Sequence, residues 1–112
     1  MFTHILVPLD GSTLAEAVLP AVAYLARTLD ARVTLLHVIE HNAPDAVHGQ
    51  RHITNVAAGA AYLAAVARTL PPGLTVQEHV HPNQEHNVAR SIVAHAEELG
   101  VDLIAMCTHG RG

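Results

Sequence analysis

Lysine and tryptophan are absent from this 112-residue chain, and Phe, Tyr and Trp together make up only 3 % of it: Phe2, Tyr24 and Tyr62. Its six cations are scattered arginines set against ten carboxylates, for a formal net charge of -4. Sequence-independent nucleic-acid binding needs clustered cations that displace counterions. Single-strand platforms need aromatic rings on which bases stack. With neither, nucleic acid is not an expected partner. The absence of Lys also excludes the lysine-bearing phosphate loop G-x-x-x-x-G-K-[ST]. A single cysteine, Cys107, excludes an intramolecular disulfide and agrees with a reducing compartment. No apolar run approaches the roughly 20 residues of a membrane span. Met1-Phe2-Thr3-His4 carries no basic region and leads straight into a strand-like segment, unlike a secretory leader. The expectation is a soluble cytoplasmic protein with no membrane partner.

What is present points to a folded domain. Half of the residues are hydrophobic and 14 % are charged, too apolar a balance for disorder. One domain over 1-112 is expected from the length. With so few aromatics, its core must be built from Val, Leu, Ile and Ala.

The apolar pattern alternates between two periods. Residues 2-7 form a short β-rich run ended by Pro8, read as a buried strand. Thr13-Leu14-Ala15-Glu16 has the form of a capping box. Leu14, Val18, Ala21, Val22, Leu25 and Leu29 follow at helical spacing, with Pro20 predicting a kink or loosened turn. Residues 32-38 form a second strand, and 39-47, with Asn42, Pro44 and Asp45, a loop. Ile53 to Leu70 carries a second helical stripe, stopped by Pro71-Pro72-Gly73. Residues 75-80 give a third strand. Asn83 is placed to cap a third helix, with Gly100 at its end, and residues 102-107 give a fourth strand. The fold class is α/β: an open parallel sheet with helices on both faces, Rossmann-like. Ligands in such sheets sit beyond the carboxyl ends of the strands, near the point where strand order reverses.

Two of those ends carry recognisable chemistry. Val7-Pro8-Leu9-Asp10-Gly11-Ser12 follows the first strand, and Met106-Cys107-Thr108-His109-Gly110-Arg111-Gly112 closes the fourth. Asp10 offers a carboxylate to a ribose hydroxyl or an adenine amine. Glycines in the last loop let backbone N–H groups approach phosphate oxygens. Each motif alone is weak: Asp10-Gly11-Ser12 reads more readily as a turn into a helix cap, and Gly-x-Gly is common. No G-x-G-x-x-G follows the first strand, which argues against a dinucleotide-binding enzyme. No base pairs recognisably with Ser12, which reads as a capping residue.

Together and in this order, V-P-L-D-G-S and D-L-I-A-M-C-T-H-G-R-G resemble the universal stress protein family, over essentially the whole chain. The resemblance implies an adenine nucleotide α-hydrolase-like sheet of order 3-2-1-4-5, frequent homodimers, and ATP binding in one branch of the family. A Ser-Gly-Gly-rich loop, the mark of the related α-hydrolase enzymes, is missing, so no catalysis is expected. Carried over by position, Asp10 meets the adenosine end beside Pro8 and Leu9, Val38 lines the adenine pocket, and Met106 lies beside the nucleotide. Thr108, His109, Gly110, Arg111 and Gly112 begin the phosphate loop, His109 ordering it. The sequence departs from the ATP-binding branch at Cys107, where that branch usually has Gly, and at the second glycine of the Gly-x-x-Gly loop, which falls past Gly112. The expectation is therefore a C-terminally incomplete domain, with order 3-2-1-4, no fifth strand, and ATP binding weakened or lost. The fourth strand, Asp102 to Cys107, then becomes an exposed edge through which copies self-associate. The alternatives are a ligand-free dimerising interaction module and a metal-responsive module built on ten histidines. For the last, His48 and His52 are the candidate ligands if the second helix has begun by His48, and His37 and His41 should approach His79 and His81. No metal requirement is expected, because no recognised zinc spacing occurs.

Overall fold

The structure, a computed structural model, describes residues 3-40, 46-47, 50-51, 53, 55-85 and 87-107, with the side chains of 40, 46-47, 50-51 and 82-85 excepted. The first strand, β1, is His4–Pro8, with all five residues buried. Ser12 then caps α1 (Thr13–Glu16), its side chain accepting from Ala15 N. The cap is thus one residue earlier than the Thr13–Glu16 box suggested. Residues 17 and 18 form a turn, and α2 restarts at Leu19–Leu29 with Pro20 in its first turn, where a missing N–H costs no helical bond. Asp30 ends α2 in the left-handed region, at φ 55°.

The second strand, β2, runs from Arg32–Glu40, beyond the expected end at Val38. The end of the expected 39-47 loop is a short strand, β3 (Ala46–Val47), which pairs antiparallel with β4 (Gln50–Arg51) just beyond it. Asn55 caps α3 (Val56–Thr69), accepting from Ala58 N. The third long strand, β5, spans Val76–Glu85 and passes through Pro82. A proline is tolerated there because β5 is an edge strand. The cap of α4 (Val88–Leu99) is consequently Asn87, accepting from Arg90 N, and not Asn83. Gly100 closes α4 at φ 68°. The last strand, β6, is short: Leu103–Ile104.

The sheet order is β5-β2-β1-β6, every pairing parallel. With the separate β3–β4 pair left aside, this is the 3-2-1-4 order of a doubly wound sheet. Strand alternation divides its side chains between two faces. Ile5, Val7, Val33 and Leu35 pack with Leu19, Val22, Leu63 and Val66 of α2 and α3. Leu6, Leu36 and Val38 pack with Ile92 of α4 on the other face. Gly59 lets α3 approach the sheet: a Cβ there would stand 3.2 Å from Val80 Cγ1 and 3.3 Å from the His37 ring. The strand order reverses between β1 and β6, so the crevice of interest lies where those two strands end.

Asp102 ties β6 to the start of β1. One of its oxygens, Oδ2, accepts from Thr3 N (2.8 Å), Thr3 Oγ1 (2.8 Å) and His4 N (3.0 Å). These bonds, led by the Thr3 backbone, hold the carboxyl below its usual range. A carboxylate with a lowered folded pKa contributes stability above its unfolded pKa and loses it as pH falls. Asp102→Asn should therefore lower the melting temperature at pH 7 and have a smaller effect near pH 3. Differential scanning fluorimetry at the two pH values checks this; an equal shift at both would refute it.

Candidate functional site

The loop after β1 is built by its own hydrogen bonds. Leu9 N donates to Leu36 O (2.8 Å), which carries the β1–β2 pairing one residue past the strand. Asp10 Oδ1 accepts from Ser12 N (2.9 Å) and from Ser12 Oγ (2.6 Å). The same Oγ accepts from Ala15 N at 3.1 Å. Asp10, the intervening turn and the start of α1 are therefore one locked unit. Gly11 sits at φ 95°, where a side chain would be strained. Ile53 lies over it, 3.2 Å from where a Cβ would be.

Beneath this loop, the His37 ring contacts the Leu9 carbonyl at 2.8 Å from Nδ1. A carbonyl only accepts, so Nδ1 carries the proton. His37 is fully buried and meets Tyr62 edge-on, with centroids 6.1 Å apart. Tyr62 OH in turn donates to Glu16 Oε2 at 2.8 Å, linking α3 to α1. Burial, helped by that carboxylate, pushes the Tyr62 phenol far above its ordinary range, so it remains a donor. The composition of the chain pointed to neither His37 nor Tyr62 as supports of this loop. Their signal was polarity inside apolar runs.

Pro8 and Leu9 are buried, Asp10 is half-buried, and Met106 is 47 % exposed. Ala105 N donates to Leu6 O (2.9 Å), which continues the β1–β6 pairing and brings the 105-107 segment alongside the end of β1. Val38 is 8 % exposed and belongs to the apolar cluster under α4, with Leu6, Leu36 and Ile92. Thr108, His109, Gly110, Arg111 and Gly112 lie outside the described residues, as do His48 and His52. The helix that follows them, α3, is Val56–Thr69, and His41 also lies outside the described residues. His37 does not approach His79 and His81: it belongs to the face covered by α3, whereas they contact His95 of α4. Residues of opposite parity on paired strands point to opposite faces. A cavity of about 440 Å³ opens at the other end of the sheet, lined by Thr3, Arg27, Asp30, Arg32, Gly73 and Thr75 among others. It is remote from the crevice between β1 and β6. Among the described residues, no helix is long and apolar enough to cross a membrane.

A doubly wound sheet with a built acidic turn after its first strand defines a small α/β domain of Rossmann-like fold. The description of the universal stress protein family matches residues 1-112, and the chain belongs to that family. It is similar to a protein of the universal stress protein family from Burkholderia pseudomallei, at 26 % identity and a TM-score of 0.64, over 96 % of this chain and 83 % of that one. It also shares its fold with a universal stress protein solved in complex with cAMP, at 14 % identity and a TM-score of 0.60, over 92 % of this chain and 70 % of that one. No curated protein matches it.

Proposed function

We propose that this chain is a non-catalytic nucleotide-binding domain with a signalling role in the stress response, taking ATP or AMP at the carboxyl ends of β1 and β6. The observation that carries this reading is the fixed position of Asp10. Its Oδ1 is committed to the turn, and Oδ2 makes no hydrogen bond to the described residues, so it can accept from a ribose hydroxyl. Affinity is low because the Cys107 side chain stands where the ATP-binding branch of the family usually has glycine, and it crowds the ligand. Calorimetry with ATP and magnesium should give a dissociation constant weaker than micromolar. Asp10→Ala should weaken binding about tenfold or more, the worth of a charged hydrogen bond, and Cys107→Gly should strengthen it. No heat at millimolar nucleotide would defeat the proposal.

A second reading, a dimerising interaction module, is favoured by the β6 edge. Ile104 is 38 % exposed and Met106 47 %. Among the described residues, β6 pairs with β1 alone. An exposed apolar edge strand is a template for another chain, and two copies meeting through it form a closed twofold contact. Light scattering should show a dimer that Ile104→Lys dissociates with the circular dichroism unchanged. A wild-type monomer at high micromolar concentration would rule this out.

A further inference from the structure

The face of the sheet beneath α4 carries a cluster of imidazoles for which a nucleotide site has no use. His79 and His81 alternate on β5 and point to this face; His95 comes down onto them from α4. The His79 and His95 rings meet edge-on with centroids 4.6 Å apart, and the His81 and His95 rings at 5.1 Å. His81 Nδ1 and His95 Nε2 are 2.9 Å apart, a hydrogen bond between two rings. His95 is 9 % exposed, and its Nδ1 lies 3.8 Å from Glu98 Oε1. His79 Nε2 and His95 Nδ1 are buried without a hydrogen-bond partner.

The tautomers follow from these distances. One proton lies between His81 and His95. Were it on His95 Nε2, the lone pair of His95 Nδ1 would face the Glu98 carboxylate. With the proton on His81 Nδ1, His95 accepts at Nε2 and turns Nδ1–H toward Glu98. The second arrangement is electrostatically favoured. In it, His95 can gain a proton only at Nε2, the atom that receives the bond from His81. Protonation there obliges His81 to carry its own proton on Nε2 instead, and it puts a cation on a ring buried between α4 and β5 with His79 and His81 against it.

We propose that His79, His81 and His95 form a proton-operated latch that holds α4 on β5 while His95 is neutral and releases it when His95 is protonated. From β2 this face presents Thr34, Leu36 and Val38, which do not titrate in this range. From β1 it presents His4, at the amino end of the sheet. From α4 itself comes Glu98, whose carboxylate opposes release. Burial, with His79 and His81 beside it, holds the His95 imidazole below its ordinary range, so the latch stays closed at neutral pH. Release uncovers the cluster of Leu6, Leu36, Val38 and Ile92, converting an acid shift into an apolar surface. Among the described residues, no group of three or more His, Cys, Asp or Glu is arranged to hold a metal ion.

Hydrogen–deuterium exchange, corrected for intrinsic rates, should show peptides from residues 88-99 opening more readily at pH 5.0 than at 7.5. The opening constant should rise by up to about tenfold per pH unit for one coupled proton. Peptides of α2 and α3 should keep their protection. His95→Gln, which still accepts from His81 but cannot titrate, should remove most of the pH dependence. Nitrogen NMR of the wild-type rings gives a readout that needs no variant: His95 should be the Nδ1–H tautomer at pH 7.5 and titrate below the ordinary histidine range. Simultaneous loss of protection in α2, α3 and α4 would overturn the proposal, as would acid opening undiminished in His95→Gln. A chelator that shifts the midpoint would show a metal switch in place of a proton switch and would equally overturn it.

Discussion

His37→Ala should lower the unfolding free energy by about 2–4 kcal/mol, several times the effect of an ordinary surface change. Two effects combine. The ring is fully buried between β2 and α3, and its removal leaves a cavity against Gly59, Val80 and Tyr62. The Leu9 carbonyl also loses its 2.8 Å partner in a place that water does not reach easily. Leaving a buried carbonyl unpaired costs about 1–3 kcal/mol by itself. The consequence extends to function, since Leu9 leads directly into the Asp10 turn. Urea denaturation measures the first effect. Exchange rates of amides 9-12 measure the second, and should rise more than those of residues 32-36. A variant within about 0.5 kcal/mol of wild type would show that His37 is an incidental polar residue in the core. His37→Asn, which keeps a donor, should recover part of the loop's protection and little of the lost packing.

The sheet was legible in the sequence because buried parallel strands write themselves as unbroken apolar runs. Ile5-Leu6-Val7 and Val33-Thr34-Leu35-Leu36 admit no helical period, and the intervening helical stripes fix the alternation. The errors arose where local grammar has two meanings. Asn83 suits a helix cap, yet the edge strand β5 continues through Pro82 to Glu85, and the cap falls at Asn87. Ser12 and Thr13 are both capping residues, and only the bond to Ala15 N decides for Ser12. At the site, Asp10 and the Gly11 turn could be read directly, being consecutive. The support from His37, Tyr62 and Glu16 could not, because it joins residues 28 and 46 positions apart in the chain. The histidine pattern misled for a related reason. The adjacency of the second and third strands in the implied sheet placed His37 and His41 near His79 and His81, but register and parity put His37 on the opposite face, and the partner of the β5 pair is His95.

Lowering the pH from 7.5 to 5.0 should reduce stability well before any carboxylate titrates, and His4 should account for a separable part of the loss. His4 is 2 % exposed on β1. Its Nε2 lies 2.6 Å from Thr34 Oγ1, and Thr34 Oγ1 donates toward Gln77 Oε1 at 3.4 Å. With the Thr34 proton directed to Gln77, His4 Nε2 donates to Thr34 Oγ1, and Nδ1 is buried without a hydrogen-bond partner. The ring is therefore held neutral. Burial, with Arg32 nearby, puts its pKa below the ordinary histidine value of 6.5, outweighing Leu99 and Asp102, which act in the other direction. For such a group the sign is fixed. Above about pH 6.5 both states are neutral and stability is at its full value. Below it, the unfolded chain takes up a proton that the folded chain refuses. Stability then falls by at most about 1.4 kcal/mol per pH unit for each such group, until the folded pKa is reached. His4→Leu removes the titrating ring and the orphaned Nδ1 together, while Thr34 keeps its bond to Gln77. At pH 7.5 the lost hydrogen bond, about 0.5–1.5 kcal/mol, is offset by apolar burial, so the variant should unfold near the wild-type midpoint. At pH 5.0 it should be the more stable of the two. Urea melts across this range provide the test, and parallel pH profiles for the two proteins would mean that His4 is protonated in the folded state.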